Sequence, residues 1–343
     1  MPYNRYFCHS SKLNRMRQIA LREALREAMN EEMRRDDRVF LMGEEVAEYN
    51  GAYKVSQGML DEFGPKRVID TPISELGFTA LAVGAAQNGL RTIVEYMTWN
   101  FASLALDLIL NSASIMLAMS GGQGGCPIVF RGPNGSAGQL GAQHSTAFEN
   151  LYANIPGLKV VSTSNGYDAK GLLKQAIRYE EDPVIFMESE VTYGEKSEVP
   201  EEEYYIELGK SDIKKKGIDV TIVSYNKMMK VAMGAAAELE KEGVNAEVID
   251  LRTIRPLDWK TILESAKKTN RLVIVEEQWP FGSVSSELTY HIQKEGFDWL
   301  DAPIRRITSA DAPLHYAGNL VALALPDISR TVKLVKEVMY LKK

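Results

Sequence analysis

The sequence predicts an α/β protein built from two doubly wound domains. Three observations lead there: short, continuous apolar strands alternate with helices, the alternation breaks near residues 189–216, and it restarts beyond the break. Strands that are apolar on both faces and separated by helices imply parallel sheets covered on each side. At 343 residues the chain has room for two such cores.

The first helix is expected over residues 18–35, where Ile19, Leu21, Leu25, Ala28, Met29 and Met33 recur at helical spacing among Arg and Glu. A buried strand follows at 39–42. The alternation then runs strand 67–70, helix 77–89, strand 92–96, helix 101–119, strand 127–131, strand 159–162, helix 168–179 and strand 184–187. Glu198, Glu201, Glu202 and Glu203 around Pro200, followed by Lys214, Lys215 and Lys216, leave nothing to bury and read as a linker. Beyond it come strand 219–224, helix 228–242, strand 246–250, helix 259–268, strand 272–276, helix 283–294, strand 304–308 and helix 329–340. The expected organisation is an N-terminal arm over 1–16, a first domain over 17–190, a linker over 191–216 and a second domain over 217–343.

Composition narrows the function. Forty Lys and Arg stand against 46 Asp and Glu, and no basic run exceeds Lys214 to Lys216, so no electrostatic footprint for nucleic acid exists. Cys8 and Cys126 form no CxxC and no disulfide framework, which suits a reducing compartment. The apolar stretch at 104–110 is interrupted by Asp107 and is far too short to span a bilayer. Arg5, Lys12, Arg15 and Arg17, with no acidic residue over 1–18, faintly resemble a transit peptide, but the stretch is short and lacks an apolar run, so an N-terminal arm of a cytoplasmic protein is expected, with an organellar remnant as the alternative.

Ligands of open parallel sheets bind beyond the carboxyl ends of the strands, which directs attention to residues 43–46, 70–77, 97–101 and 131–145. Two glycine clusters, one at Gly121, Gly122, Gly124 and Gly125 and one in GPNGSAG from Gly132 to Gly138, match neither a Walker loop nor GxGxxG. A nicotinamide site therefore lacks its main signature. Glu75 lies in DTPISELGF, where Pro72 ends a strand and Ser74 can cap a helix. It reads either as a first-turn carboxylate favoured by the helix dipole or as an acid whose pKa is raised by an apolar wall of Ile73, Leu76, Phe78, Met97 and Phe101. His144, in GAQHST, reads either as a structural hydrogen-bonding residue or as a catalytic group on a long loop. No metal-ligand spacing and no GxSxG elbow occurs.

Taken together, DTPISELGF, MTWNF, PIVFRGPNG, QHS, IPGLKVV and DLRTIRPLD resemble the beta subunits of the pyruvate dehydrogenase component of 2-oxo acid dehydrogenase complexes. The resemblance runs from about Arg17 to the C-terminus. It implies a thiamine-diphosphate-binding fold of pyrimidine type followed by a transketolase C-terminal-like domain. It also implies an assembly of two alpha and two beta chains with thiamine diphosphate shared between them. The alpha subunit would hold the diphosphate and magnesium through a GDG motif, which this chain lacks. Glu75 matches the glutamate that hydrogen-bonds the pyrimidine ring nitrogen, with Ile73, Met97 and Phe101 as pyrimidine contacts. His144 matches a histidine that helps acyl transfer to a lipoyl group. Backbone carbonyls of Ile128, Ala176, Ile177, Tyr179 and Glu181 match a potassium site, although the last two residues depart from the usual Asp and Asn. Implied partners are the alpha subunit and the dihydrolipoyl acetyltransferase core, with Asp301 and the C-terminal residues near the core-docking face, and the implied substrate is pyruvate. Acetoin or a branched-chain 2-oxo acid is the alternative substrate, and a noncatalytic assembly subunit is the alternative of another class.

Overall fold

The computed structural model describes residues 15–341; the expected arm lies outside them apart from Arg15 and Met16. Fourteen strands run along the described chain in the order β1 (Met16–Ala20), β2 (Val39–Gly43), β3 (Val68–Asp70), β4 (Arg91–Glu95), β5 (Ile128–Pro133), β6 (Lys159–Ser162), β7 (Val184–Glu188), β8 (Lys196–Pro200), β9 (Asp212–Lys215), β10 (Val220–Ser224), β11 (Ala246–Asp250), β12 (Thr253–Arg255), β13 (Leu272–Val275) and β14 (Arg305–Ile307). They form a seven-stranded sheet ordered β12-β6-β7-β5-β4-β2-β3, a five-stranded sheet ordered β14-β13-β10-β11-β9, and a ribbon of β1 with β8. The inner strands pair in parallel and are buried on both faces, as continuous apolar runs demand.

Four strands depart from the expected pattern: β1 takes residues 18–20, expected to open the first helix, and pairs with β8, and the others are β8, β9 and β12. The stretch expected to be a linker contains β8, which pairs antiparallel with β1 and buries Val199, and β9, which closes one edge of the second sheet against β11. Charged residues at a sheet edge keep their heads in water, so their composition hides a strand. The three-residue β12 crosses over to pair antiparallel with β6 and so joins the first sheet from the second half of the chain. It is too short to show any period.

The helix expected over 101–119 is broken into Trp99–Ala102, a tight turn at Ser103–Ala105, a wider-wound turn at Leu108–Ser114 and a last turn at Met116–Met119. The Ser114 hydroxyl donates to the Leu110 carbonyl at 2.7 Å, drawing that acceptor away from the regular ladder. The helix Leu21–Arg35 meets the helix Gly166–Arg178 through ion pairs: Lys170 to Glu27 at 2.9 Å and Lys174 to Glu31 at 2.6 Å. Both lysine stems are buried while their ammonium groups reach the carboxylates.

Candidate functional site

Glu75 opens the helix Glu75–Gln87 directly after β3 and the turn that Pro72 starts. Ser74 occupies the N-cap position, yet its side chain makes no capping hydrogen bond, contrary to expectation. Glu75 is only 5% exposed. Beside it stands Glu44, also 5% exposed, at the carboxyl end of β2. The strand order explains the meeting: β2 and β3 are parallel neighbours with Gly43 opposite Asp70, so the residues after each strand emerge together. The Asp70 carboxylate then accepts from the backbone N–H of Ala47 at 2.7 Å and of Glu48 at 3.0 Å, which pins the loop carrying Glu44.

Two carboxyl groups this close cannot both ionise without a penalty. Burial first, and the neighbouring Glu75 second, push Glu44 up to about 7. One Glu44 oxygen is buried without a hydrogen-bond partner. The neutral form of Glu44 is therefore favoured beside Glu75, and its unpartnered oxygen is a buried polar atom left open to a ligand. Glu44 was reachable from sequence only as one of several residues after a strand.

The apolar wall expected around Glu75 is not closed by this chain. Phe78 is buried and packs on Tyr96 at 5.7 Å between ring centroids, but Ile73 is 85% exposed and Leu76 is 53% exposed. Tyr96, missed by the sequence reading, lies deeper and shares a 2.7 Å hydrogen bond with the Thr79 hydroxyl. Met97, just after β4, and Phe101, in the helix Trp99–Ala102, are half-buried. The Phe101 ring meets the His144 ring edge-on at 5.0 Å, and the His144 Nδ1 is buried without a partner. The structure thus brings Phe101 and His144 together, and separately Glu75 with Glu44.

The five carbonyls read as a potassium site lie at the start of β5 and at the C-terminal end of the helix Gly166–Arg178. Three of them already accept hydrogen bonds. The Ala176 carbonyl takes the Tyr179 N–H at 3.2 Å, the Glu181 carbonyl takes the Cys126 N–H at 3.1 Å, and the Ile177 carbonyl takes a 2.9 Å bond from the buried guanidinium of Arg91. A cationic side chain thus already stands at one member of the set. Among the described residues no cluster of His, Cys, Asp and Glu could hold a metal ion, and no helix is long and apolar enough to cross a membrane.

Comparison with known proteins agrees with this architecture. A family model described as the transketolase pyrimidine binding domain matches residues 17–196, and one described as the transketolase C-terminal domain matches residues 209–330. A solved structure described as a split gene transketolase, inactive beta4 tetramer, has the same fold at a TM-score of 0.76, covering 95% of this chain and 100% of that one at 23% identity. The fold and its carboxylate-lined sheet edge therefore define a two-domain protein of transketolase type. A pyruvate dehydrogenase E1 component subunit beta from Rickettsia felis is 56% identical over 94% of this chain and 99% of its own length. The mitochondrial beta-2 subunit of Oryza sativa is 51% identical over 94% of this chain and 87% of its own. The chain belongs to the family of pyruvate dehydrogenase E1 beta subunits.

Proposed function

We propose that this chain is the beta half of a pyruvate dehydrogenase E1 enzyme, supplying the pyrimidine side of a thiamine diphosphate site completed by an alpha subunit. The observation that carries the reading is the buried Glu44–Glu75 pair, with an unpartnered carboxylate oxygen, opening beside the uncovered Ile73 and Leu76. A carboxyl pair holding one proton suits a heterocyclic nitrogen that must gain and release a proton, and exposed apolar side chains suit coverage by cofactor and partner. The residues present therefore fit the pyrimidine. When bound, the cofactor supplies the electron sink for decarboxylation. Glu75 holds the proton at the ring nitrogen, Glu44 keeps that proton on the pair, and Ile73, Met97 and Phe101 pack against the ring and exclude water. His144, its Nδ1 free of any partner, is available to move a proton during transfer of the acetyl group to a lipoyl disulfide, whose reduction takes up the two electrons released with carbon dioxide. Magnesium and the diphosphate belong to the alpha side in this reading, because the GDG motif that the resemblance assigns to them does not occur in this sequence.

The second domain is proposed to dock the acyltransferase core. Asp301 is exposed on its surface and pairs at 3.2 Å with the partly buried Arg271. The helix Ile328–Val338 buries Thr331, Val335 and Val338 in that domain's core, so docking has to be probed by surface substitution and not by truncation. A cytoplasmic compartment is proposed from the bacterial relatives, with the mitochondrial matrix or plastid stroma as alternatives.

The decisive experiment is co-expression with the alpha subunit and assay against pyruvate, branched-chain 2-oxo acids and acetoin. Pyruvate should give the highest kcat/KM; preference for another substrate would overturn the substrate reading, and no turnover of any would favour a noncatalytic subunit. Purified alone, the chain should bind thiamine diphosphate weakly and turn nothing over, because it lacks the diphosphate half of the site. Tight magnesium-dependent binding in titration calorimetry would refute the split site.

A further inference from the structure

We propose that Glu277 and Lys227, both in the second domain, are positioning residues for His144: they clamp the GPNGSAG loop at Ser136, and through Gly135 and Thr146 that clamp sets where the His144 loop stands. Lys227 lies just after β10 and Glu277 just after β13, so both emerge at the carboxyl edge of the second sheet. The Lys227 ammonium donates to the Ser136 carbonyl at 2.5 Å and to the Ser136 hydroxyl at 2.7 Å, and it pairs with Glu277 at 2.7 Å. The Glu277 carboxylate in turn accepts the Ser136 N–H at 2.5 Å. One residue of the first domain is thus held at its N–H, its carbonyl and its hydroxyl by an oppositely charged pair. Lys227 is buried, and Glu277 nearly so, which makes these charge-assisted bonds stronger than surface ones.

The grip passes to His144 in a few contacts. Gly135 sits at φ 77°, and a side chain there would strike the Glu277 carboxylate, so glycine is needed both for its backbone and for the approach of that group. The Gly135 N–H donates to the Thr146 carbonyl at 3.1 Å. Thr146 is also tied to the Asn100 side chain, through its N–H at 3.3 Å and its hydroxyl at 3.2 Å, and Asn100 precedes the Phe101 ring against which His144 packs. On the other side of His144, Gly141 has φ 84° and faces the Tyr316 ring of the second domain so closely that an added Cβ would lie 2.6 Å from it. With Nδ1 unpartnered, the imidazole orientation rests on this packing and on the place of its loop.

The inference rests on the reading of His144 as the group that serves acyl transfer, and its test separates the two. In the enzyme assembled with its alpha partner, Glu277→Gln and Lys227→Met should each slow acyl transfer to a lipoyl domain by about 10- to 100-fold, the scale of a catalytic group displaced by about an ångström. Decarboxylation read with an artificial electron acceptor should stay close to wild type, because the carboxylates that serve it sit after β2 and β3. Lys227→Arg, which keeps the charge and a reach to Ser136, should retain most of the acyl transfer. Hydrogen exchange over residues 134–147 should quicken in the two disruptive variants and not in Lys227→Arg. If one disruptive variant fails to assemble, the other carries the comparison. Equal losses in both half-reactions would overturn the proposal, as would unchanged exchange in the loop whatever the rates. If His144→Gln keeps full acyl transfer, the reading of His144 fails instead, and loop exchange alone then decides whether the clamp positions it.

Discussion

Glu75→Gln should lower turnover of the assembled enzyme by ~100- to 10,000-fold, the range of a lost general acid or base, while folding and assembly persist. The amide keeps the size of the side chain and its place at the start of the helix Glu75–Gln87. It cannot hold an acidic proton, and it removes the negative charge that helps to keep Glu44 protonated near neutral pH. The measurement is proton exchange at the reactive carbon of the cofactor, taken beside cofactor affinity. Exchange should fall steeply and affinity much less. Exchange at the wild-type rate would return Glu75 to the role of a helix-start carboxylate.

Asp168→Ala should destabilise the chain by about 3–5 kcal/mol, the usual result of stripping one partner from a buried ion pair. The Asp168 carboxylate is fully buried at the start of the helix Gly166–Arg178 and contacts Lys214 at 2.7 Å and Arg252 at 2.5 Å. Lys214 comes from β9, within the stretch where the pattern breaks, and Arg252 from beyond it, so the cluster joins the two sheets. Alanine would leave them with Asp212, which meets Lys214 at 2.6 Å and Arg252 at 2.9 Å but is itself partly exposed. Burial opposes ionisation of Asp168, yet Lys214 and Arg252 hold its carboxyl below the usual carboxylate range. A depressed folded-state pKa contributes stability that is present above the unfolded value, near 3.8, and is lost as the pH falls through the folded one. Urea midpoints should therefore fall below about pH 4 in the wild type, and the variant should start lower and show a shallower acid limb. Equal midpoints at neutral pH would show that the cluster contributes nothing.

The contrast between these two sites shows what was legible beforehand. Glu75 was visible because Pro72, an adjacent strand and a helix start mark its position locally. Asp168 gave no such sign, since its partners lie 46 and 84 residues away. Arg131 is similar: it sits fully buried with Glu95 and Glu188 on three neighbouring strands, a grouping that only strand order creates.

The sequence by itself determined the alternation of strands and helices and the absence of a nucleotide-loop signature, because burial on both faces of a parallel sheet writes a local pattern of apolar runs. Its motifs also placed the chain among the 2-oxo acid dehydrogenase beta subunits. Only the tertiary structure decided that β12 crosses into the first sheet, that β9 and β8 turn an acidic and basic stretch into sheet edges, that Glu44 stands beside Glu75, and that Lys227 and Glu277 hold the loop before His144. Each of these depends on which strand ends lie side by side. That arrangement is set by the packing of the two sheets and leaves no periodic trace in the residues that meet there.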